Sequence, residues 1–451
     1  MSKTQDAKTL LKVSLPLMAA FLAQKGMQLT DTIMMGWIGA DALAAGALGT
    51  SCFVTILLFC NGTLSSVGIF IARAKGAKRS HEIKSNLQHG VALTLLLAIP
   101  CMAIIWFIPN FLLAIGEEKQ IVEMVKLLLH GLVFGFPGFL LFLLFREFIS
   151  AFALTRVVMI VALSSMPLTF SFNYLFIYGK FGFPALGIAG IGYAGAIVMW
   201  FMFLCLFVYA KTNSILKKHV SIFPSGIDYK KLIDMVYIGL PSGMLLLFEG
   251  GMFAAAAALM GYFGVVPLAA HQISLQCASI AYSIPFAIGM ATGLQISQAA
   301  GEKDLPKIKR FAMISAVIAL IIALILAMIF IFAPDYLINI FIKPDEADYA
   351  NIRLLAIQFL FLAGIFQIFD GMLAICIGIL RGLKDTFVPM ILSICAYWII
   401  GITSAWYLSQ HTSAGAIGIW YGLTLGICSI GILLIIRVIR KISQLNLSNA
   451  G

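Results

Sequence analysis

Apolar segments long enough to cross a bilayer lie almost end to end from Leu10 to Ile439, separated by short polar stretches. A spanning helix needs about 20 mostly apolar residues, so the pattern dictates a chain whose main solvent is lipid. Only 11% of its 451 residues are charged and 61% are hydrophobic, whereas a soluble domain is roughly one quarter charged. The longest break, roughly Lys211 to Asp234, has the length of a linker and is too short for an independent core. These features argue against cytosolic enzymes, nucleic-acid readers and secreted disulfide scaffolds. The first apolar helix, from Leu10 to Gly36, is too long for a cleavable signal peptide and lacks a well-placed A-x-A site.

The formal charge of +11 is not gathered into one patch. Lysine and arginine alternate between connections: Lys3, Lys8 and Lys12 in the leading tail, none around Gly39, then Arg73, Lys75, Lys78, Arg79 and Lys84. The third connection is acidic, with Glu117, Glu118 and Glu123, and the swing continues to Arg437, Arg440 and Lys441. Short cytoplasmic loops hold the excess of Lys and Arg, so the pattern predicts twelve crossings with both termini in the cytoplasm. Eight cysteines lie in apolar segments without C-x-x-C spacing and read as small packing residues, with no metal or disulfide role.

The chain also repeats itself. A shift of 225 positions places Leu15-Pro16 on Leu240-Pro241, Gly26-Met27 on Gly251-Met252, Leu43-Ala44-Ala45 on Leu268-Ala269-Ala270, and Ile83-Lys84 on Ile308-Lys309. After a six-residue insertion the shift becomes 231 and matches Thr155 to Thr386 and Met159 to Met390. Each half then has six crossings, and an even number keeps the copies parallel, related by an axis along the membrane normal. The expected fold is an all-α polytopic membrane protein of twelve transmembrane helices in two six-helix lobes related by that pseudo-two-fold. The lobes are placed at residues 1–218 and 219–451, joined by a basic linker from Lys211 to Lys231. Such repeats are the usual build of transporters, which hold substrate and ion sites near the midplane.

Charges inside the hydrocarbon carry the functional information, because each costs roughly 2.5–3.5 kcal/mol near the bilayer centre. They are Lys25, Asp31, Glu249 and Asp370. In the first helix Gln24, Gln28 and Asp31 form one stripe at i, i+4 and i+7, a candidate cavity wall with Asp31 as a cation- or proton-binding acid. Three roles stay open for Lys25, rotated about 100° from Gln24: touching the same cavity, pairing with an interior carboxylate, or snorkelling. Glu249 and Asp370 fall at mid-depth in the second lobe. A carboxylate pair there suits a monovalent cation or a shared proton, against the alternative of two separate hydrogen-bonded acids. Asn173 could add a neutral ligand to Asp31, or bond helix to helix. His271 reads as structural, and Arg146 with Glu147 as an interfacial pair near a helix end. Pro16, Pro137, Pro241 and Pro389 are candidate kinks.

The segment L-P-L-M-A-A-F-L-A-Q-K-G-M-Q-L-T-D-T-I-M-M-G from Leu15 to Gly36 resembles the opening helix of the multidrug and toxic compound extrusion (MATE) family, NorM branch. G-L-P-S-G-M-L-L-L-F-E-G from Gly239, A-A-H-Q-I from Ala269 to Ile273, F-D-G, and G-I-L-R-G-L-K-D-T from Gly378 to Thr386 extend the resemblance over the whole chain. It implies a two-lobe antiporter that expels organic cations in exchange for Na+ or H+, working as a functional monomer in the bacterial cytoplasmic (inner) membrane. Neither His nor Cys spacing supplies the nucleophile or metal set of an enzyme, the scattered basic residues offer no nucleic-acid surface, and no cofactor beyond the coupling ion is expected. Glu249 and Asp370 match the cation-linked acids of the second lobe, the Na+ ligands if coupling is to sodium. Asp31 and Asn173 match the acid and polar partner of the first. Phe366 stands where relatives often carry a Tyr, which removes one oxygen ligand, and Lys25 is atypical.

Alternatives are a lipid-linked oligosaccharide flippase of the same superfamily and a major-facilitator carrier. The flippase would want a cationic cavity for pyrophosphate, against three acids here. The carrier would show G-x-x-x-D-R/K after the second helix, which Arg73 to Lys84 lacks.

Overall fold

The computed structural model describes residues 3–220, 226, 228–346 and 348–448. The centre of the basic linker, residues 221–225 and 227, lies outside the described residues. Among the described residues there is no strand, and helices follow one another with short connections. In the first repeat they are α1 (Lys3–Ile38), α2 (Ala40–Gly76), α3 (Ser80–Ala114), α4 (Lys119–Val133), α5 (Phe136–Ala151), α6 (Thr155–Tyr178) and α7 (Ile188–Thr212). The second repeat has α8 (Tyr229–Gly261), α9 (Val265–Gly301), α10 (Leu305–Phe332), the short α11 (Pro334–Ile338) and α12 (Tyr349–Gly382). It closes with α13 (Phe387–Ile394), a π-helical segment (Cys395–Ile402), α14 (Thr403–His411) and α15 (Ala416–Ser448).

Ten of these spans are long and apolar enough to cross a membrane, and the bent pair α4 and α5 makes eleven. The remaining crossing is α1, 36 residues long and so about 54 Å by helical rise, whose apolar run is interrupted by Gln24, Lys25, Gln28 and Asp31. The chain is therefore an all-α, multi-pass membrane protein, as its hydropathy predicts. Of the candidate kinks, Pro137 stands at the 49° bend between α4 and α5, where a ring in the first turn of a helix removes no internal hydrogen bond. Pro16 and Pro241 lie inside unbroken helices. The crossing that contains Pro389 is interrupted further on, by the π-helical turn.

The chain forms two compact units. One takes residues 244–451 together with the start of the chain as far as Ser14, and the other runs from Leu15 to Gly243. The division between these units falls inside α1 and inside α8. The sequence repeat predicts two like halves but gives no hint of this exchange of leading segments. Within the units the repeats pack alike. In one, a Cβ on Gly26 of α1 would lie 2.4 Å from the Met166 methyl of α6; in the other, a Cβ on Gly251 of α8 would lie 3.0 Å from the Trp398 ring of the π segment. Gly251 is the 225-shifted equivalent of Gly26, and Trp398 is one residue beyond the 231-shifted equivalent of Met166.

Close helix approach depends on small residues, since lipid supplies no hydrophobic drive between helices. α9 and α12 come together at glycine: a Cβ on Gly378 would sit 2.1 Å from the Gly289 carbonyl oxygen, and one on Gly289 2.3 Å from that of Ala374. That contact holds in register the two helices that carry Tyr282 and Asp370. All eight cysteines are free, with Cys60 and Cys101 facing each other at 3.7 Å between α2 and α3.

Candidate functional site

In the unit that contains most of the second repeat, Glu249 on α8 is 8% exposed and Asp370 on α12 is 5% exposed. Both stand well inside helices of more than 30 residues, each 12 residues from its nearer helix end, or about 18 Å. They lie within electrostatic reach of each other. No ion pair to either acid is formed among the described residues. Two phenols, Tyr282 of α9 and Tyr397 of the π segment, face both acids. The Tyr282 hydroxyl interacts with Glu249, and the Tyr397 hydroxyl is buried without a hydrogen bond to the chain. A cluster of carboxylate and phenol oxygens with no cationic side chain can be satisfied by a proton, a hard monovalent cation or water.

Sequence reasoning finds the acids and misses the phenols. A tyrosine in an apolar segment looks like any other aromatic residue, and only the three-dimensional packing of α8, α9, α12 and the π segment turns these two toward the carboxylates. The π turn widens the helix locally, a deviation often found at functional positions, and Tyr397 is one of its residues. Phe366 is buried and stacks on Trp420 with ring centroids 5.9 Å apart. It contributes no oxygen, and the phenols nearest the acids come from other helices. His271 is also fully buried, edge-on to Trp420 at 5.6 Å.

In the other unit the Asn173 side chain of α6 donates from Nδ2 to Asp31 Oδ1 of α1 at 2.6 Å. Asn173 is fully buried and its Oδ1 has no partner, while Asp31 is half-buried. The structure therefore brings these two predicted residues together, with the amide as donor to the carboxylate. Gln24 and Lys25 are half-buried and Gln28 is exposed. Lys25 forms no ion pair among the described residues, so the interior-pairing role is not realised.

The pair Arg146 and Glu147 is covered by protein: the two residues are 1% and 2% exposed and their side chains are bonded at 2.9 Å. Arg146 also donates to Asn61 Oδ1 at 2.6 Å and lies over the Phe21 ring at 5.4 Å. α5 ends five residues later, but α1 and α2 cover this turn, and nearness to a helix end does not reveal such cover. Among the described residues no group of three His, Cys, Asp or Glu side chains could hold a metal ion.

The helical repeats, the buried unpaired acids and the spans of lipid length define a two-repeat, multi-pass membrane protein with ionisable groups in its interior. The MatE family model matches residues 16–175 and 241–407, and the chain belongs to the MatE family. It is 34% identical to a probable multidrug resistance protein NorM of Pseudomonas putida over 429 residues, covering 94% of this chain and 92% of the relative. A protein of the same description from Burkholderia mallei is 32% identical over 435 residues, covering 96% and 92%. Among solved structures, a eukaryotic MATE transporter superposes with a TM-score of 0.88 at 20% identity over 98% of both chains. A multidrug resistance MATE family transporter solved in an outward-facing conformation gives 0.86 at 20% identity, over 98% of this chain and 96% of that one. Both likenesses are of fold.

Proposed function

We propose that the chain is a cation-coupled efflux antiporter that expels organic cations in exchange for Na+ or H+. Glu249 and Asp370 act as the coupling pair, and Asp31 as a second coupling or substrate-binding acid. The observation that carries the reading is the buried Glu249–Asp370 pair, which forms no ion pair among the described residues and is faced by two phenols. A proton or Na+ arriving from outside neutralises part of the pair and weakens the site for a cationic substrate, which leaves on that side. Loss of the ion to the inside restores the negative site. A one-for-one exchange of monovalent cations moves no net charge, so the concentration gradient of the entering ion drives it; each inward charge in excess of the outward one adds about 2.3 kcal/mol per 100 mV.

The same reading takes residues 1–218 and 219–451 as the duplicated halves, working as a monomer in the bacterial cytoplasmic membrane. The alternation of Lys and Arg between connections supports cytoplasmic termini. The substrates are amphiphilic organic cations, and the reaction forms and breaks no covalent bond.

The test is export of ethidium, a fluorescent monocation, from proteoliposomes under a sodium gradient and a pH gradient imposed separately. One gradient is expected to drive export, and Glu249→Gln and Asp370→Asn are each expected to reduce it at least tenfold. If both variants export at the parental rate with the parental ion dependence, the assignment is wrong.

A further inference from the structure

The first helix of each repeat begins in the compact unit built mainly by the other repeat, and a polar contact holds each beginning there. At the start of α1, Asp6 is 1% exposed and its Oδ2 accepts from Arg310 Nε of α10 at 2.8 Å. At the start of α8, Lys231 Nζ donates to Ser85 Oγ of α3 at 3.2 Å. Just before it the Asp228 backbone N–H donates to His89 Nε2 at 2.9 Å, and His89 Nδ1 donates to the Ser85 carbonyl at 2.7 Å.

The 225-residue shift that relates the repeats carries Asp6 onto Lys231 and Ser85 onto Arg310. The two contacts therefore stand at equivalent places: the leading residue of one repeat bonds the third helix of the other in both cases. Backbone packing supports the second contact. A Cβ on Gly239 would lie 2.4 Å from the Thr63 carbonyl oxygen of α2, one on Gly243 2.5 Å from that of Phe59, and one on Gly62 2.6 Å from that of Ser242. Gly239 and Gly243 form the small-xxx-small pattern that lets membrane helices touch. On α1 the face of Asp6, Leu10, Val13, Ser14 and Leu17 is buried.

We propose that Asp6–Arg310 and Lys231–Ser85 are a matched pair of latches that position the leading arms of α1 and α8, and that their release gates transport. Both arms are continuous with the helices that carry Asp31 and Glu249. Arg310 holds a carboxylate that is almost wholly covered, so separating them exposes an uncompensated buried charge. Asp6 and Arg310 are thus positioning residues that act through the helix of Asp31. The gating half of this inference rests on the antiport reading; the latches do not.

Hydrogen–deuterium exchange on the full chain in lipid nanodiscs reads the latches directly. Asp6→Asn and Arg310→Gln are each expected to speed exchange across residues 5–14 at least tenfold, with residues 16–38 keeping their protection. The charge swap Asp6→Arg with Arg310→Asp is expected to restore it, and Lys231→Met to speed exchange across residues 229–240. Arg310→Lys, which keeps the charge and threatens folding least, should fall between parent and Arg310→Gln. Parental exchange in Asp6→Asn, Arg310→Lys and Arg310→Gln alike overturns the latch, as does a charge swap no better protected than the single variants. Ethidium export by the same variants is expected to change severalfold in kcat with KM nearly constant. Unchanged kcat in variants whose arm has come free overturns the gating role. A parent that exports no ethidium, with exchange responding as expected, overturns the antiport reading and leaves the latches standing.

Discussion

Arg146 and Glu147 show how a single residue pair is governed by what covers it. Two adjacent charges of opposite sign lie out of water, bonded to each other and to Asn61. Removing one member of such a pair strands the other and costs about 3–5 kcal/mol, whereas replacing both with apolar residues of similar volume is often near neutral. Glu147→Ala should therefore lower stability in detergent denaturation by about that amount, and Arg146→Met combined with Glu147→Leu should lower it less. A double variant as unstable as the single would contradict this account. At the same scale, Glu249, Asp370 and Asp31 are legible in the sequence because an ionisable group in hydrocarbon is expensive and so stands out against apolar neighbours. Asn173 is legible only as a possible partner of Asp31, since an amide in a membrane helix can face many neighbours. Tyr282 and Tyr397 are not legible, because their hydroxyls add little to the hydropathy of an aromatic residue.

Among the elements, α9 and α12 are the pair whose spacing decides whether Tyr282 and Asp370 meet. The two glycine backbones touch, leaving no side chain that could turn aside. Gly378→Val should push the helices apart, destabilise the protein by about 3 kcal/mol, the upper end for overpacking, and abolish ethidium export even though no acid is altered. Thermal denaturation together with vesicle export would check this; a variant with parental stability and export would show that the contact can relax. Helical crossings are readable from hydropathy, and of the four candidate proline kinks Pro137 stands at a bend between helices while Pro16 and Pro241 lie inside unbroken ones. The partner of each helix is not readable. Hydropathy separates lipid from water and says nothing about which neighbour covers a given turn, so neither the cover over Arg146 nor the exchange of leading segments could be foreseen. The π turn at Cys395–Ile402 was equally hidden, for its composition is that of an ordinary apolar helix.

For the whole molecule, the duplication was plain in the sequence and it predicted like packing in the two units, as Gly26 with Met166 and Gly251 with Trp398 show. The exchanged arms add something that duplication alone does not supply. Trading an identical element between copies is how domain-swapped dimers form, and here the trade occurs within one polypeptide. Expressed as two separate genes, residues 1–218 and 219–451 should each be short of a wedge that only the other can lend. Co-expression is expected to yield a co-purifying, export-competent complex, while either half made alone should be degraded or aggregate; a stable, monodisperse half would count against it. A single-length forerunner of this chain would on the same grounds have been an obligate twin, its two copies interlocked by their own first dozen residues.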